Sequence, residues 1–393
     1  MPRVDDRHPK GGITPFGWVN IIFSAIIGAM LLWQFVPKIG FADDRSIDTE
    51  TGRIKVETVA NGLSHPWGMA FLPDGRMLVT ERPGRLRILA DGKLSEPLSG
   101  VPEVFAQGQG GLLDVAIDPD FKSNRLVYLS YAEPGPGGAS TAVARGKLGD
   151  QVLEDVEVIF RQVPKVNGGN HFGSRLAFAP DGTLFITLGE RFTFTPAQNL
   201  SSDLGKIIRI NPDGSVPKDN PFVGRKDARP EIWSYGHRNA QGAAINPKTG
   251  KLWETEFGPL GGDELNIPEA GKDYGWPVVS WGDNYDGTKI PDPPTHPEFE
   301  DAIRHWNPVI SPSGIAFYTG DAIPGWKDNL LIGGLSSEAL VRLTLDGEKV
   351  VHEERIAMGQ RIRDVAQAPD GSVYLATDDT GKILRLTLEN SPN

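Results

Sequence analysis

From residue 53 onward, apolar residues alternate with polar or small ones in short runs, and most runs end at a turn built from proline, aspartate or glycine. Trp67-Gly68-Met69-Ala70-Phe71-Leu72 leads through Pro73-Asp74-Gly75 into Met77-Leu78-Val79-Thr80, and Leu86-Arg87-Ile88-Leu89 then meets Asp91-Gly92. Period-two runs rich in β-branched and aromatic residues, bounded by such turns, predict strands joined as hairpins. The unit returns with first strands beginning near residues 67, 112, 174, 241, 313 and 363. Repeats of about 45 to 70 residues, each a twisted sheet that must bury its faces against its neighbours, predict an all-β, six-bladed β-propeller. The final run Ile383-Leu384-Arg385-Leu386 needs an outer partner, and Ile54 to Val59 is placed to supply it and close the ring. Closure removes two exposed edges. A β-sandwich of similar strand count is the alternative.

The N-terminal pattern is different. Residues 1–12 are polar with Arg3, Arg7 and Lys10, and Phe16 to Val36 is a nearly uncharged apolar run. This predicts an export signal or a membrane-anchor helix. The run is long enough to cross a bilayer, while Gly40-Phe41-Ala42 before Asp43 offers a small-residue cleavage site. The basic flank places the N-terminus inside and the folded part outside the cytoplasm. The expected division is a signal or anchor at 1–42, a linker at 43–52 and the propeller at 53–390.

Composition narrows the chemistry. A net charge of −11 opposes a nucleic-acid partner held through phosphates. With no cysteine, disulfides, thiolate metal sites and cysteine nucleophiles are excluded. The sequence contains no Walker loop, Rossmann fingerprint, GxSxG elbow, HExxH motif or EF-hand spacing. Nucleotide and nicotinamide chemistry therefore lack their anchors.

In a propeller, the segments entering the first strands converge on one mouth of the central channel. Here they are polar: Gln109 before Leu112, Asn170 and His171 before Ser174, Arg238 and Asn239 before Gln241, and Arg361 before Arg363-Asp364. His171, between Asn170 and a tight Gly-Ser turn, is the candidate general base; His237, beside the positive Arg238, reads as structural. Within the stretch Glu231 to Pro277, Gly258-Pro259 followed by Asp263-Glu264 offers carbonyl and carboxylate oxygens without a histidine or cysteine cluster. Hard oxygen donors suit Ca²⁺ over a transition metal. A glycine-rich solvated loop is the plainer alternative.

In chain order, GQGGLLDVAIDPDF (108–121), NHFGSRLAFAPDG (170–182), LGERF (188–192), SYGHRNAQG (234–242), EFGPLGGDELN (256–266), YGWP (274–277) and RIRDVAQAPDG (361–371) resemble the soluble glucose and aldose sugar dehydrogenases that use pyrroloquinoline quinone, PQQ. The resemblance implies oxidation of aldoses at the anomeric carbon by hydride transfer to PQQ, with calcium. His171 matches the base that takes the proton of the anomeric hydroxyl, and Arg238 the cation that polarises the quinone carbonyl. Gln109, Asn239, Tyr285, Arg361 and Arg363 match cofactor-contacting positions, Asp263 a carboxylate near the cofactor, and Trp306 an aromatic wall of the substrate cleft. Gly258 and Pro259 match carbonyl ligands of a calcium that bridges protein and PQQ, and Glu264 and Tyr274 match a second calcium position. Where glucose-type members carry a cofactor-contacting lysine, this chain reads Gly334-Leu335-Ser336-Ser337-Glu338. The implied partners are an aldose and an external electron acceptor, a quinone or cytochrome, with membrane contact only through the N-terminal segment. The implied location is the periplasm, with inner-membrane anchoring if residues 16–36 are retained. A propeller of the same family that acts as a binding module is the alternative function.

Overall fold

The alternating runs fold into six antiparallel sheets in a computed structural model that describes residues 44–389. The expected signal or anchor, with its apolar run at 16–36, lies outside the described residues, and no helix within them is long and apolar enough to cross a membrane. Strands β1 (Arg45–Thr49) and β2 (Gly52–Ala60) precede the first blade. That blade is β3 (Pro66–Phe71), β4 (Met77–Glu81), β5 (Arg85–Ala90) and β6 (Lys93–Leu94). The second is β7 (Leu112–Ile117), β8 (Leu126–Gly135), β9 (Gly138–Leu148) and β10 (Leu153–Arg161). The third is β11 (Gly173–Phe178), β12 (Leu184–Leu188), β13 (Lys206–Ile210) and β14 (Ile232–Tyr235). The fourth is β15 (Ala240–Ile245), β16 (Leu252–Glu256), β17 (Asp263–Asn266) and β18 (Arg304–Trp306). The fifth is β19 (Pro312–Phe317), β20 (Leu330–Gly334), β21 (Ala339–Asp346) and β22 (Lys349–Ala357). The sixth combines β23 (Ile362–Gln367), β24 (Val373–Thr377) and β25 (Ile383–Leu388) with β2 and β1.

The first strands begin at or one residue before the expected positions. Ile54 pairs with Leu388 and Val56 with Leu386, so the N-terminal strand closes the ring as expected. The expected linker at 43–52 is corrected: Arg45–Thr49 is a fifth strand of the closing blade, with Ile47 opposite Ile54 and packed against the core of that blade. Neighbouring blades bury their facing sides together, as where Leu78 and Leu86 meet Leu112 and Leu129. Each such side chain contributes roughly 1.5–3 kcal/mol of burial.

The first strands touch in a closed circle, β3 to β7 to β11 to β15 to β19 to β23 and back to β3. Every one of them slips register near its third residue. A bulge re-aims the side chain beside it, and the third residues are Gly68, Asp114, Arg175, Gly242, Gly314 and Asp364. Arg175 Nη1 lies 2.9 Å from Asp114 Oδ1 and 3.0 Å from Asp364 Oδ1. A Cβ on Gly314 would sit 1.9 Å from Asp364 Oδ1, and one on Gly68 2.6 Å from Asp114 Oδ1. Glycines thus make room for a buried ion triad that fills the channel under the mouth. Burial pushes the Asp364 carboxyl up to about 7 despite Arg175.

Candidate active site

His171 is 5% exposed and enters β11 with φ of 54°. A side-chain-bearing residue held in the left-handed region is a strained position that its surroundings must enforce. Two contacts do so. The main-chain N–H of His171 donates to Gln109 Oε1 at 2.8 Å, and its Nδ1 lies 2.6 Å from Glu190 Oε1. Glu190 is fully buried just past β12. Its other carboxylate oxygen accepts the N–H of Thr193 and, at 2.7 Å, that of Phe194. That carboxylate therefore pins a tight loop in which Arg191, Phe192 and Phe194 all have φ near 60°.

An ionised carboxylate only accepts, so Nδ1 carries the proton and Nε2 is left as the basic nitrogen. Burial lowers the His171 pKa, the Glu190 hydrogen bond opposes this, and the positive charge of Arg238 adds to the lowering. The net direction is downward, which keeps the imidazole neutral at pH 7.

Arg238 is 3% exposed; Nη1 donates to Phe257 O at 3.0 Å and Nη2 to Tyr285 Oη at 3.1 Å. Its main-chain carbonyl accepts the N–H of Glu190 at 3.0 Å, which ties the cation to the loop that orients the base. Asn239 Oδ1 accepts the N–H of Gly173 at 3.1 Å, adding a second tie between blades three and four. Tyr285 and Phe192 are the two exposed side chains among the described phenylalanines, tyrosines and tryptophans, and they stand 6.5 Å apart at this rim.

Beside these groups the mouth holds a cavity of about 200 Å³ lined by Trp67, Arg82, Gln109, Gln241, Arg361, Arg363 and Asp378, among others. Arg363 Nη1 donates to Gln241 Oε1 at 2.7 Å. Arg361 Nε lies 3.6 Å from Asp378 and 3.7 Å from Asp379. Trp67 joins this cavity to the plug below, with the Arg175 guanidinium 4.2 Å from its ring centroid. Three guanidiniums around one cavity in a chain of net charge −11 mark an anion site.

A second, much smaller cavity of about 10 Å³ lies behind Arg238, lined by Glu256, Gly258, Glu264, Tyr274 and Trp276, among others. That volume admits one ion or one water and no organic ligand. The surrounding charges are acidic. Asn266 Nδ2 lies 2.9 Å from Glu254, 3.2 Å from Glu256 and 3.3 Å from Glu264. One amide has two N–H groups for these three carboxylates. Glu254 Oε2 and Asn266 Oδ1 are buried acceptors without a donor. Burial, reinforced by the charge of Glu256, pushes Glu254 and Glu264 well above the ordinary carboxylate value. His237 is buried in the same cluster, with Nδ1 3.3 Å from Glu256 and its ring stacked on Tyr274 at 4.7 Å. It takes no part in the mouth.

A family model described as glucose / sorbosone dehydrogenase matches residues 63–385. The chain belongs to that family. It is 47% identical over 347 residues to the aldose sugar dehydrogenase YliI of Escherichia coli (strain K12), covering 86% of this chain and 94% of the relative. A crystal structure of a glucose dehydrogenase superposes with a TM-score of 0.82 at 51% identity, covering 86% and 99% of the two chains. The PQQ-bound form of an aldose sugar dehydrogenase from Streptomyces coelicolor superposes with a TM-score of 0.69 at 32% identity, covering 86% and 98%.

Of the positions that resemble this dehydrogenase family, the structure brings Gln109, His171, Arg238, Asn239, Tyr285, Arg361 and Arg363 to one mouth. Gly258, Glu264 and Tyr274 line the small acidic cavity, with the buried Pro259 beside them in the chain. Asp263 is a brace: it accepts the N–H of Gly258 at 3.0 Å, Ile310 at 2.8 Å and Ser311 at 2.7 Å. Burial still pushes its carboxyl up to about 6. Trp306 is corrected. On β18 the side chains of Arg304 and His305 are exposed, and Trp306 turns inward to pack with Trp253, Leu265 and Ile310, its Nε1 donating to Glu353 at 2.9 Å. It walls a blade core and lines neither cavity. Glu190, Arg82, Trp67 and Gln241 are mouth residues to which the sequence assigned no role there.

Proposed function

We propose that this chain is a PQQ- and calcium-dependent aldose sugar dehydrogenase acting at the anomeric carbon. The observation that carries the reading is a neutral imidazole, oriented by a buried carboxylate and tied through one main-chain hydrogen bond to Arg238, whose Nη1 bonds the carbonyl of Phe257, a residue lining the cationic cavity. The donor set fits an anionic cofactor: Arg238 Nε, Asn239 Nδ2 and Arg363 Nε are buried without a partner. Arg361 and Arg363 offer charge-assisted hydrogen bonds to carboxylates. PQQ, when bound, supplies the two-electron acceptor.

The chain's residues do the rest. His171 Nε2 takes the proton of the anomeric hydroxyl, and Glu190 stabilises the imidazolium that forms. Arg238 presents fixed positive charge where negative charge develops. Glu256, Glu264 and Gly258 would hold the calcium, which matches the oversubscribed Asn266 and the orphaned acceptor of Glu254. Reconstitution with PQQ and Ca²⁺ is expected to give dye reduction with aldoses. Absence of PQQ-dependent turnover across a panel of sugars and alcohols, with the fold intact, would overturn the reading in favour of a binding module.

The acidic cluster also sets a pH dependence. Glu254 and Glu264 have folded-state values raised above the ordinary 4.5, so the folded protein holds more protons than the unfolded chain above that pH. Stability of the calcium-free protein therefore falls as pH rises through the raised values. Calcium replaces those protons, so the gain in melting temperature on adding it should grow from pH 5 to pH 8. A gain independent of pH would remove the cluster from calcium binding.

A further inference from the structure

Blade six does not by itself make the mouth positive. Arg361 and Arg363 both face Asp378, at 3.6 and 3.4 Å, and Arg361 also faces Asp379 at 3.7 Å. Two guanidiniums against two carboxylates leave that side close to neutral. On the adjoining blade five, Leu335 and Ser311 contribute neutral groups, with Ser311 Oγ bonded to Ser336 Oγ at 2.8 Å. Three guanidiniums line the cavity against Asp378, with Asp379 facing Arg361 from outside the lining, and Arg82 is the one of the three with no carboxylate within ion-pair distance among the described residues.

Arg82 follows β4 and is bolted in place by its backbone. Its N–H donates to His65 O at 3.1 Å, and its carbonyl accepts the N–H of Leu112 at 3.1 Å. Gly111 approaches so closely that a Cβ there would lie 2.2 Å from that carbonyl. The guanidinium donates to two main-chain carbonyls, Gly110 O at 3.1 Å and Gly108 O, which flank Gln109. These use two of its five N–H groups. Among the described residues it forms no ion pair, and burial lowers its pKa with only Asp378 opposing.

We propose that Arg82 is the third cation of the cofactor cradle, binding a carboxylate of the tricarboxylate PQQ directly and supplying from blade one the charge that the neutral Ser336 region does not. The inference rests on the PQQ reading and adds to it a residue from blade one, two places round the ring from the blade that lacks the lysine. Net charge at the cavity, rather than a lysine at one position, is then what holds the anion.

The test is an equilibrium titration of the purified, calcium-loaded protein with PQQ in the absence of sugar, read by tryptophan fluorescence at several salt concentrations. Arg82→Gln is expected to raise Kd roughly 10- to 100-fold, the range for a charged hydrogen bond, and to flatten the salt dependence. Ser336→Lys in the Arg82→Gln background should recover part of the affinity. A Kd for Arg82→Gln within twofold of the unmodified protein overturns the proposal. So does weakened binding with an unchanged salt slope and no rescue by Ser336→Lys, because Arg82 would then serve only to hold the Gln109 loop. Should Arg82→Gln fail to fold, Arg82→Lys keeps a charge but loses the fork, and Ser336→Lys alone must still tighten binding. No PQQ binding by the unmodified protein fails the functional reading itself, at a stage separate from any variant.

Discussion

His171→Asn is expected to lower kcat for aldose oxidation about 10²- to 10⁴-fold, the range for loss of a general base, while PQQ still binds. Asparagine tolerates the left-handed backbone that position 171 adopts at φ 54°, so the change removes the base without new strain. In the unmodified enzyme, kcat/KM should fall at low pH as the imidazole protonates. Burial and the nearby arginines set that limb below the ordinary histidine value of 6.5. Retention of more than a tenth of kcat by His171→Asn would assign the base elsewhere.

Glu190→Gln carries the second large effect, again about 10²- to 10⁴-fold in kcat. The glutamine oxygen can keep the N–H groups of Thr193 and Phe194, which turns its amide toward His171 Nδ1. An amide N–H facing Nδ1 forces the proton onto Nε2, so the ring presents a donor where a base is required. The carboxylate also raises the His171 pKa, and its loss must move the acid limb of the pH profile to lower pH. A kcat loss with an unmoved limb would show that Glu190 only holds the loop. Steady-state rates from pH 5 to 8, paired with melting temperatures, separate the two roles.

The ring was legible because turn chemistry and strand alternation agree in all six units, and because Ile54 to Val59 repeats the pattern of an outer strand. β1 was not legible: Arg45–Thr49 is largely polar and is ordered by pairing to β2, a contact no local pattern announces. Histidine, arginine and asparagine at the mouth stood out because they interrupt the run-up to apolar strands. Glu190 did not, since a glutamate beside an arginine reads as a solvated pair. Its position could have been found by hairpin arithmetic. Gly173 pairs with Leu188, and extending that register two residues outward sets His171 opposite Glu190. Arg82 and Trp67 were hidden inside a run that reads as an ordinary hairpin. Trp306 was misplaced because motif spacing is blind to which face of a strand a side chain takes, and on β18 the third residue faces inward.

The pairing of β2 with β25 also governs how the molecule can be made. These two strands come from opposite ends of the described chain and lie side by side in one sheet. During synthesis, five blades can form from contiguous sequence, but the sixth waits for the last strand to arrive. Until then β2 has no partner for one edge, and the inner circle has a gap where β23 belongs. The last strand to be made is therefore the one that completes the closing sheet, and the ring cannot lock until residues 383–388 have been added.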